Sequence, residues 1–153
     1  MTHSTIKQSI HNITTSNTGL DTLALRLGAG SIFFAHGAQK LFAWFGGYGL
    51  EGTGGWMESI GITPGILMAG MAGSAEFIGG LLLIFGLLVR PASFVLAITM
   101  LVAIFTVHID NGLFMSKNGY EFALALLIIS ISLAFRGAGS LSVDKLLTKK
   151  LGV

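Results

Sequence analysis

The chain has 153 residues, of which 52% are hydrophobic and only 10% are charged. About a quarter of the residues in an ordinary soluble domain are charged. This composition therefore argues against a soluble globular protein and indicates a small integral membrane protein. The net charge of +2 is too small to indicate nucleic-acid binding. The absence of cysteine excludes a disulfide, a thiolate metal site and thiol redox chemistry within this chain.

The first segment, residues 1–20, is polar and rich in Ser, Thr and Asn. It lacks the apolar core of a secretory signal. Its low hydrophobicity predicts a mostly disordered tail, because such a sequence cannot bury enough apolar surface to fold. We therefore assign residues 1–20 as a polar cytoplasmic tail.

Four apolar segments follow the tail, at about 21–44, 64–88, 91–108 and 120–135. Their lengths suit helices that cross a bilayer, which need about 17–25 residues. Short connections between them favour antiparallel neighbours. The sequence therefore predicts an all-α fold, a transmembrane four-helix bundle with up-down-up-down order, over residues 21–137.

Two further segments lie outside these helices, one between the first and the second helix and one after the fourth. The first, FGGYGLEGTGGWMESIGIT at 45–63, contains so many glycines that we predict no continuous helix there, but a folded Gly-rich outer loop that covers the mouth of the bundle. The second, residues 138–153, offers Ser140 or Ser142 as an N-cap for a short, basic, amphipathic helix. We expect that helix to lie on the cytoplasmic headgroups.

The basic residues predict the orientation. Seven lie on the side that holds both termini and only Lys40 and Lys117 lie on the other, which favours termini in the cytoplasm. Aromatic residues with polar groups settle at membrane interfaces, and those at the outer ends of the helices agree with this orientation: Trp44, Tyr48, Trp56 and Tyr120.

Ionisable residues inside these segments form the candidate ligand-binding site. His36 and Lys40 are one helical turn apart on the first helix. Glu76 belongs to a stripe of small residues on the second helix, which lets backbones approach closely and so faces other helices. By helical rise, His36 and Glu76 lie at similar depths, level enough to hydrogen-bond. The stripe consists of Gly65, Ala69, Gly73, Glu76 and Gly80.

Three more ionisable residues extend this set. His108 and Glu121 are predicted near the outer mouth, roughly level with Lys40, and Arg26 lies about 10 Å below Glu76 as a supporting charge. Together they predict a polar column from the outer surface to about mid-bilayer. The alternatives are that Arg26 and Lys40 extend to the interfaces, that His108 and Glu121 belong to the outer loop, and that one salt bridge merely joins the helices.

The sequence resembles the DoxX family of small bacterial membrane proteins from about residue 25 to 147. The resemblance rests on RLGAGSIFFAHGAQKLF at Arg26, AEFIGGLLLIFGLLVRP at Glu76, HIDNG at His108, NGYEFAL at Glu121 and GAGSLSVD with Asp144. It implies a bundle in the bacterial inner membrane that is associated with respiratory or redox functions. Family members have been linked to quinone-coupled thiosulfate oxidation, in which the sulfur-oxidising examples act with a partner subunit.

We therefore predict a subunit or accessory of a membrane oxidoreductase system that binds a quinone-like molecule in the outer half of the bundle. His36 and Lys40 would polarise the carbonyl oxygens, and Glu76 or Glu121 would relay protons. The expected partners are the lipid bilayer, a redox subunit and further copies of the chain, and no nucleic acid.

Other functions fit the same residues. A small transporter would use the polar column as its path and would need an oligomer. A structural or assembly protein would use the charges only to join helices. Haem ligated by His36 and His108 is a narrower option, and two histidines alone are thin support for it. We predict no metal site.

Overall fold

The computed structural model describes residues 19–151, and this part of the chain is all-α, without strands. The tail predicted for residues 1–20 falls almost wholly outside the described residues. Six α-helices follow in chain order: α1 (Asp21–Phe42), α2 (Gly49–Ser59), α3 (Gly65–Phe85), α4 (Val89–Ala103), α5 (Glu121–Arg136) and α6 (Val143–Leu151).

The four apolar segments correspond to α1, α3, α4 and α5, so the prediction of these helices is confirmed to within a few residues at most ends. Helix α4 continues through a π-helical turn at Ile104–His108 and a 3₁₀ turn at Ile109–Asn111. Two of these helices, Gly65–Phe85 and the extended Val89–Asn111, are long and apolar enough to cross a membrane.

The prediction that residues 45–63 contain no continuous helix is wrong. Helix α2 occupies Gly49–Ser59 although it contains four glycines. The small residues are used for packing, since a Cβ added at Gly54 would lie 2.9 Å from the backbone of Ile66 at the start of α3. Close contact with α3 therefore offsets the poor helix propensity of glycine.

Helices α1 and α3 form the closest pair, and glycines set their separation. A Cβ at Gly37 would lie 2.3 Å from the backbone nitrogen of Phe77, and one at Gly30 would lie 2.9 Å from the carbonyl oxygen of Gly80. These contacts show that the two helices run in opposite directions. We call the end that holds Asp21 and Gly86 the inner end, and the opposite end the outer end.

The apolar core lies between the four long helices. Phe33 of α1 and Leu83 of α3 are fully buried, and they join Leu96 of α4 and Leu133 of α5 in one cluster. Helices α4 and α5 pack along most of their lengths, and α3 meets α4 where Gly79 faces Leu96. All five residues of the predicted stripe on α3 are buried, and the stripe packs against α2 at Gly65 and against α1 at Gly73 and Gly80.

The opposite faces of the helices are apolar as well as exposed. A soluble helix exposes polar residues on its outer face. Here the exposed side chains of α4 are large and hydrophobic, which suits contact with lipid. They are Phe94, Val95, Ile98, Leu101, Val102 and Phe105.

Helix α6 begins beside the inner end. The hydroxyl of Ser142 accepts a hydrogen bond from the backbone N–H of Lys145 at 3.2 Å, which is the geometry of an N-cap. Of the two serines predicted to cap this helix, Ser142 is therefore the one that does so. Beyond it, Leu146 and the lysines at 149 and 150 are exposed.

Candidate functional site

The centre of the candidate site is an ion pair between α1 and α3. Lys40 Nζ donates a hydrogen bond to Glu76 Oε2 at 2.6 Å. Gly37 brings the two backbones together less than one turn before Lys40, so the long lysine side chain reaches the carboxylate from the neighbouring helix. The side chain of Glu76 is 6% exposed and that of Lys40 is 24% exposed.

This pair can bind polar groups because the ammonium of Lys40 is partly exposed while the carboxylate of Glu76 is buried. A buried carboxylate requires a partner, since an unpaired charge in apolar surroundings is strongly unfavourable. The ammonium of Lys40 supplies that partner and keeps contact with the surface. A ligand oxygen can therefore approach the ammonium from the exposed side while Glu76 stays paired.

His36 lies beside the pair and does not bond to Glu76. Its side chain is exposed on α1, one turn before Lys40, and its ring centroid lies 6.1 Å from that of Phe122 on α5. Glu76 instead accepts a hydrogen bond from Lys40, so the question that the similar depths of His36 and Glu76 left open is answered by the lysine contact. The imidazole is left accessible at the line where α1 meets α5.

The structure does not join His108 and Glu121 to the Lys40–Glu76 pair. His108 Nδ1 donates to the carbonyl oxygen of Asn118 at 2.8 Å, and Glu121 Oε1 accepts from the backbone N–H of Met115 at 2.6 Å. Both side chains therefore hold the segment between α4 and α5 at the outer end. The sequence predicts that both residues belong to one polar column with Lys40, and their contacts do not show such a column.

Arg26 belongs to the inner end and to another set of contacts. It is 1% exposed, so its guanidinium does not extend to an aqueous interface. Nη2 donates to the carbonyl oxygen of Leu141 at 2.5 Å, and Nη1 lies against Gly86. Arg26 thus connects α1 to the segment that precedes α6, and it forms neither a hydrogen bond nor an ion pair with Glu76.

Asp144 completes this inner cluster, and sequence reasoning noted it only through the family resemblance. Its two carboxylate oxygens accept the backbone N–H groups of Leu88 at 2.8 Å and of Val89 at 3.1 Å. These donors begin α4 and have no partner within their own helix. Burial raises the pKa of Asp144, and these hydrogen bonds and the charge of Arg26 act in the opposite direction.

The described residues contain no group of three or more His, Asp or Glu side chains that could hold a metal ion. The site contains three ionisable groups. The ammonium of Lys40 and the accessible imidazole of His36 lie on adjacent turns of α1, and the carboxylate of Glu76 lies on α3. These groups can donate hydrogen bonds to a small polar molecule, accept hydrogen bonds from it and exchange protons with it.

Comparison with known proteins agrees with this architecture. The DoxX family model matches residues 22–109. A Bacillus subtilis (strain 168) protein named "Putative oxidoreductase CatD" is 38% identical over 130 residues, which are 85% of this chain and 89% of that protein.

Two proteins of Haemophilus influenzae, each named "Uncharacterized protein", are also similar. They are 34% identical over 129 residues and 32% identical over 133 residues. The matches cover 82% and 86% of this chain, and 90% and 85% of those proteins. No solved structure matches the chain. Since the family model spans more than half of its residues, and these relatives are similar along most of its length, the chain belongs to the DoxX family.

Proposed function

We propose that this protein is a subunit or accessory of a membrane oxidoreductase system, and that it binds a quinone-like headgroup at the Lys40–Glu76 pair. The observation that carries the proposal is a hydrogen-bonded cation and carboxylate, 2.6 Å apart, in otherwise apolar surroundings. The name of the Bacillus subtilis relative supports an oxidoreductase. An ionisable pair at membrane depth is a functional candidate in its own right.

The proposal includes an arrangement in the membrane. Helices α1, α3, α4 and α5 would form an up-down-up-down bundle over residues 21–137, in the bacterial inner membrane with both termini cytoplasmic. The apolar outward faces and the seven-to-two distribution of basic residues support it. Residues 138–153 would lie on the cytoplasmic side, where the exposed Leu146 and the lysines at 149 and 150 suit a headgroup layer.

In this site each group has a distinct task. Lys40 would donate to a quinone carbonyl oxygen, and Glu76 would hold Lys40 in place and exchange protons with the ligand. Reduction of a quinone to a quinol takes up two electrons and two protons. Because the chain has no cysteine, the electrons would come from a redox partner subunit. His108 and Glu121 would position the outer segment that borders the site.

His36 supports access from the side. It is exposed, and the ring beside it, Phe122, is 37% exposed. Helix α1 packs much more closely against α3 than against α5, so the junction between α1 and α5 is the more open of the two. A ligand dissolved in lipid would reach the ion pair past this imidazole and aromatic ring.

A structural role for the same pair is the second candidate. The contact that carries the proposal, one salt bridge between two closely packed helices, is also what a structural or assembly protein would use. The two candidates differ in what happens when His36 is removed, because His36 contributes to access and not to the salt bridge.

Binding to purified protein tests the proposal. Decylubiquinone and menadione would be titrated in mild detergent, with quenching of Trp44 and Trp56 fluorescence as the signal. We expect His36→Ala to weaken binding at unchanged melting temperature, and Ser31→Ala, an exposed neighbour on α1, to leave binding unchanged. Failure of the wild type to bind either quinone, or equal binding by the wild type, His36→Ala and Glu76→Gln, would refute quinone binding at this site.

A further inference from the structure

Two serine hydroxyls in the core have no hydrogen-bond partner. Ser93 of α4 and Ser130 of α5 are both 0% exposed, and neither Oγ atom is hydrogen-bonded within the described chain. Three exposed hydroxyls of the same helices behave differently. Thr99, Thr106 and Ser132 each donate to the carbonyl oxygen four residues earlier. The buried pair therefore lacks even the local bond that a helical hydroxyl can make.

The two hydroxyls lie at one level of the interface between α4 and α5. Arg90 Nη1 donates to the carbonyl oxygen of Ala134 at 3.4 Å, which places these two residues near each other across the two antiparallel helices. Ser93 is three residues outward from Arg90, and Ser130 is four residues outward from Ala134. At about 1.5 Å of rise per residue, Ser93 lies about 4.5 Å outward from Arg90 and Ser130 about 6 Å outward from Ala134, so the two serines occupy neighbouring levels.

Both serines belong to the faces that α4 and α5 bury. Ser93 lies between Ala92 and Leu96, and Ser130 lies between Leu127 and Leu133, all of them buried. Polar atoms in such surroundings are almost always hydrogen-bonded, because each unpaired hydroxyl loses its bonds to water without replacement. Ordered water is the usual partner where protein atoms supply none.

The inner half of the protein contains other unpaired donors. Nε and Nη1 of Arg26 are buried without a hydrogen-bond partner in the described chain. Arg26 lies against Gly86, whereas Gly79 faces Leu96, which is one turn outward from Ser93. The serine pair therefore lies between Arg26 and the level of Glu76, about 9 Å inward from Glu76.

From these observations we propose that Ser93 and Ser130 form a binding site for water between α4 and α5. Water is the ligand class that fits, because each hydroxyl can donate one hydrogen bond and accept others. The carbonyl oxygens of Val89 and Leu126, one turn earlier on each helix, can accept a further bond from the same water. The site extends the polar interior into the inner half, below the polar column that the sequence predicts.

A double-mutant cycle in detergent tests the site and does not depend on quinone binding. Ser93→Ala and Ser130→Ala should each lower the melting temperature by about 2–4 °C, because the water loses one partner and the remaining groups stay buried. The double variant should lose less than the sum, since the two hydroxyls share one ligand. Ser132→Ala, whose hydroxyl bonds only within α5, is the control and should leave the melting temperature unchanged.

Infrared spectroscopy separates bound water from a direct bond between the two hydroxyls. The wild type should show an O–H stretching band that shifts in heavy-oxygen water, and the double variant should lack that band. Two results would overturn the proposal. One is a wild type without such a band, and the other is a pair of single variants that melt at or above the wild-type temperature with additive effects, as expected when Ser→Ala relieves dry, unpaired hydroxyls.

Discussion

Lys40 Nζ lies 2.6 Å from Glu76 Oε2, so α1 and α3 share a hydrogen-bonded ion pair beside the glycine contact that joins their backbones. The carboxylate is nearly inaccessible and the ammonium is not. The carboxylate of Glu76 on α3 is therefore shielded, whereas the ammonium of Lys40 on α1 can be reached by a ligand. Either a ligand or the helix pair itself can use it.

Breaking the ion pair from one side should cost more than removing it. Glu76→Gln or Lys40→Met leaves one charged group without its partner and should lower the free energy of unfolding by about 3 kcal/mol, somewhat less for Glu76→Gln because Lys40 is partly exposed. The double variant should be more stable than the sum of the single effects predicts, by about 1 kcal/mol or more. Thermal unfolding of all four proteins in one detergent measures this, and strict additivity would contradict a direct pair.

Packing between α1 and α3 should depend on Gly37. Gly37→Ala places a methyl group 2.3 Å from the backbone of Phe77, which only a shift of the helices can relieve, and it should cost about 1–3 kcal/mol or more. Gly28→Ala is the matched control on the same helix, because its Cβ meets nothing within 4 Å. The control should match or slightly exceed the wild-type melting temperature. Equal melting temperatures for the two variants would argue against this helix contact.

Asp144 should stabilise the start of α4 from a distance. Asp144→Ala removes the acceptors for the N–H groups of Leu88 and Val89 and should cost about 2 kcal/mol. Amide hydrogen exchange should accelerate at those two residues. The control is Lys145→Ala, the next residue of α6, whose side chain is exposed. Unchanged exchange at Leu88 and Val89 in Asp144→Ala would show that these hydrogen bonds contribute little.

The proposed orientation can be read from chemical labelling, because a chain without cysteine gives no background. Gly55→Cys lies on α2 with open space around it, and Lys145→Cys lies on α6 at the inner end. A membrane-impermeant maleimide added to right-side-out membranes should label the first and not the second. The reverse pattern would place the termini outside, and labelling of both before permeabilisation would contradict the placement of α2 and α6 on opposite sides of the membrane.

The long helices could be predicted from the sequence because apolar runs of sufficient length, with few ionisable residues, specify them. Helix α2 could not. Its glycines disfavour a helix in isolation, and only the approach of Gly54 to Ile66 on α3 reveals why small residues are favourable there. Intrinsic propensity is local, whereas the contact that overrides it lies in the next helix.

The site was predictable in part for a related reason. Spacing placed His36 and Lys40 on one face and directed Glu76 toward other helices, but it did not determine which of the two meets the carboxylate. The length of the lysine side chain decides this, since it extends past the glycine contact. The neighbours of Arg26 were not predictable from spacing, because Leu141 is 115 positions away in sequence.

This distance along the chain affects the order in which the protein can assemble. The hydroxyl of Thr22 donates to the carbonyl oxygen of Ala138, 116 positions later, and Arg26 reaches Leu141 in the same way. During synthesis α1 is made long before these acceptors exist. Until the segment before α6 has been synthesised, the guanidinium of Arg26 lacks the carbonyl acceptor that it has in the folded protein, and water or another group must hydrogen-bond to it. The contacts of the inner end are therefore non-local, and they can form only after the segment before α6 has been made.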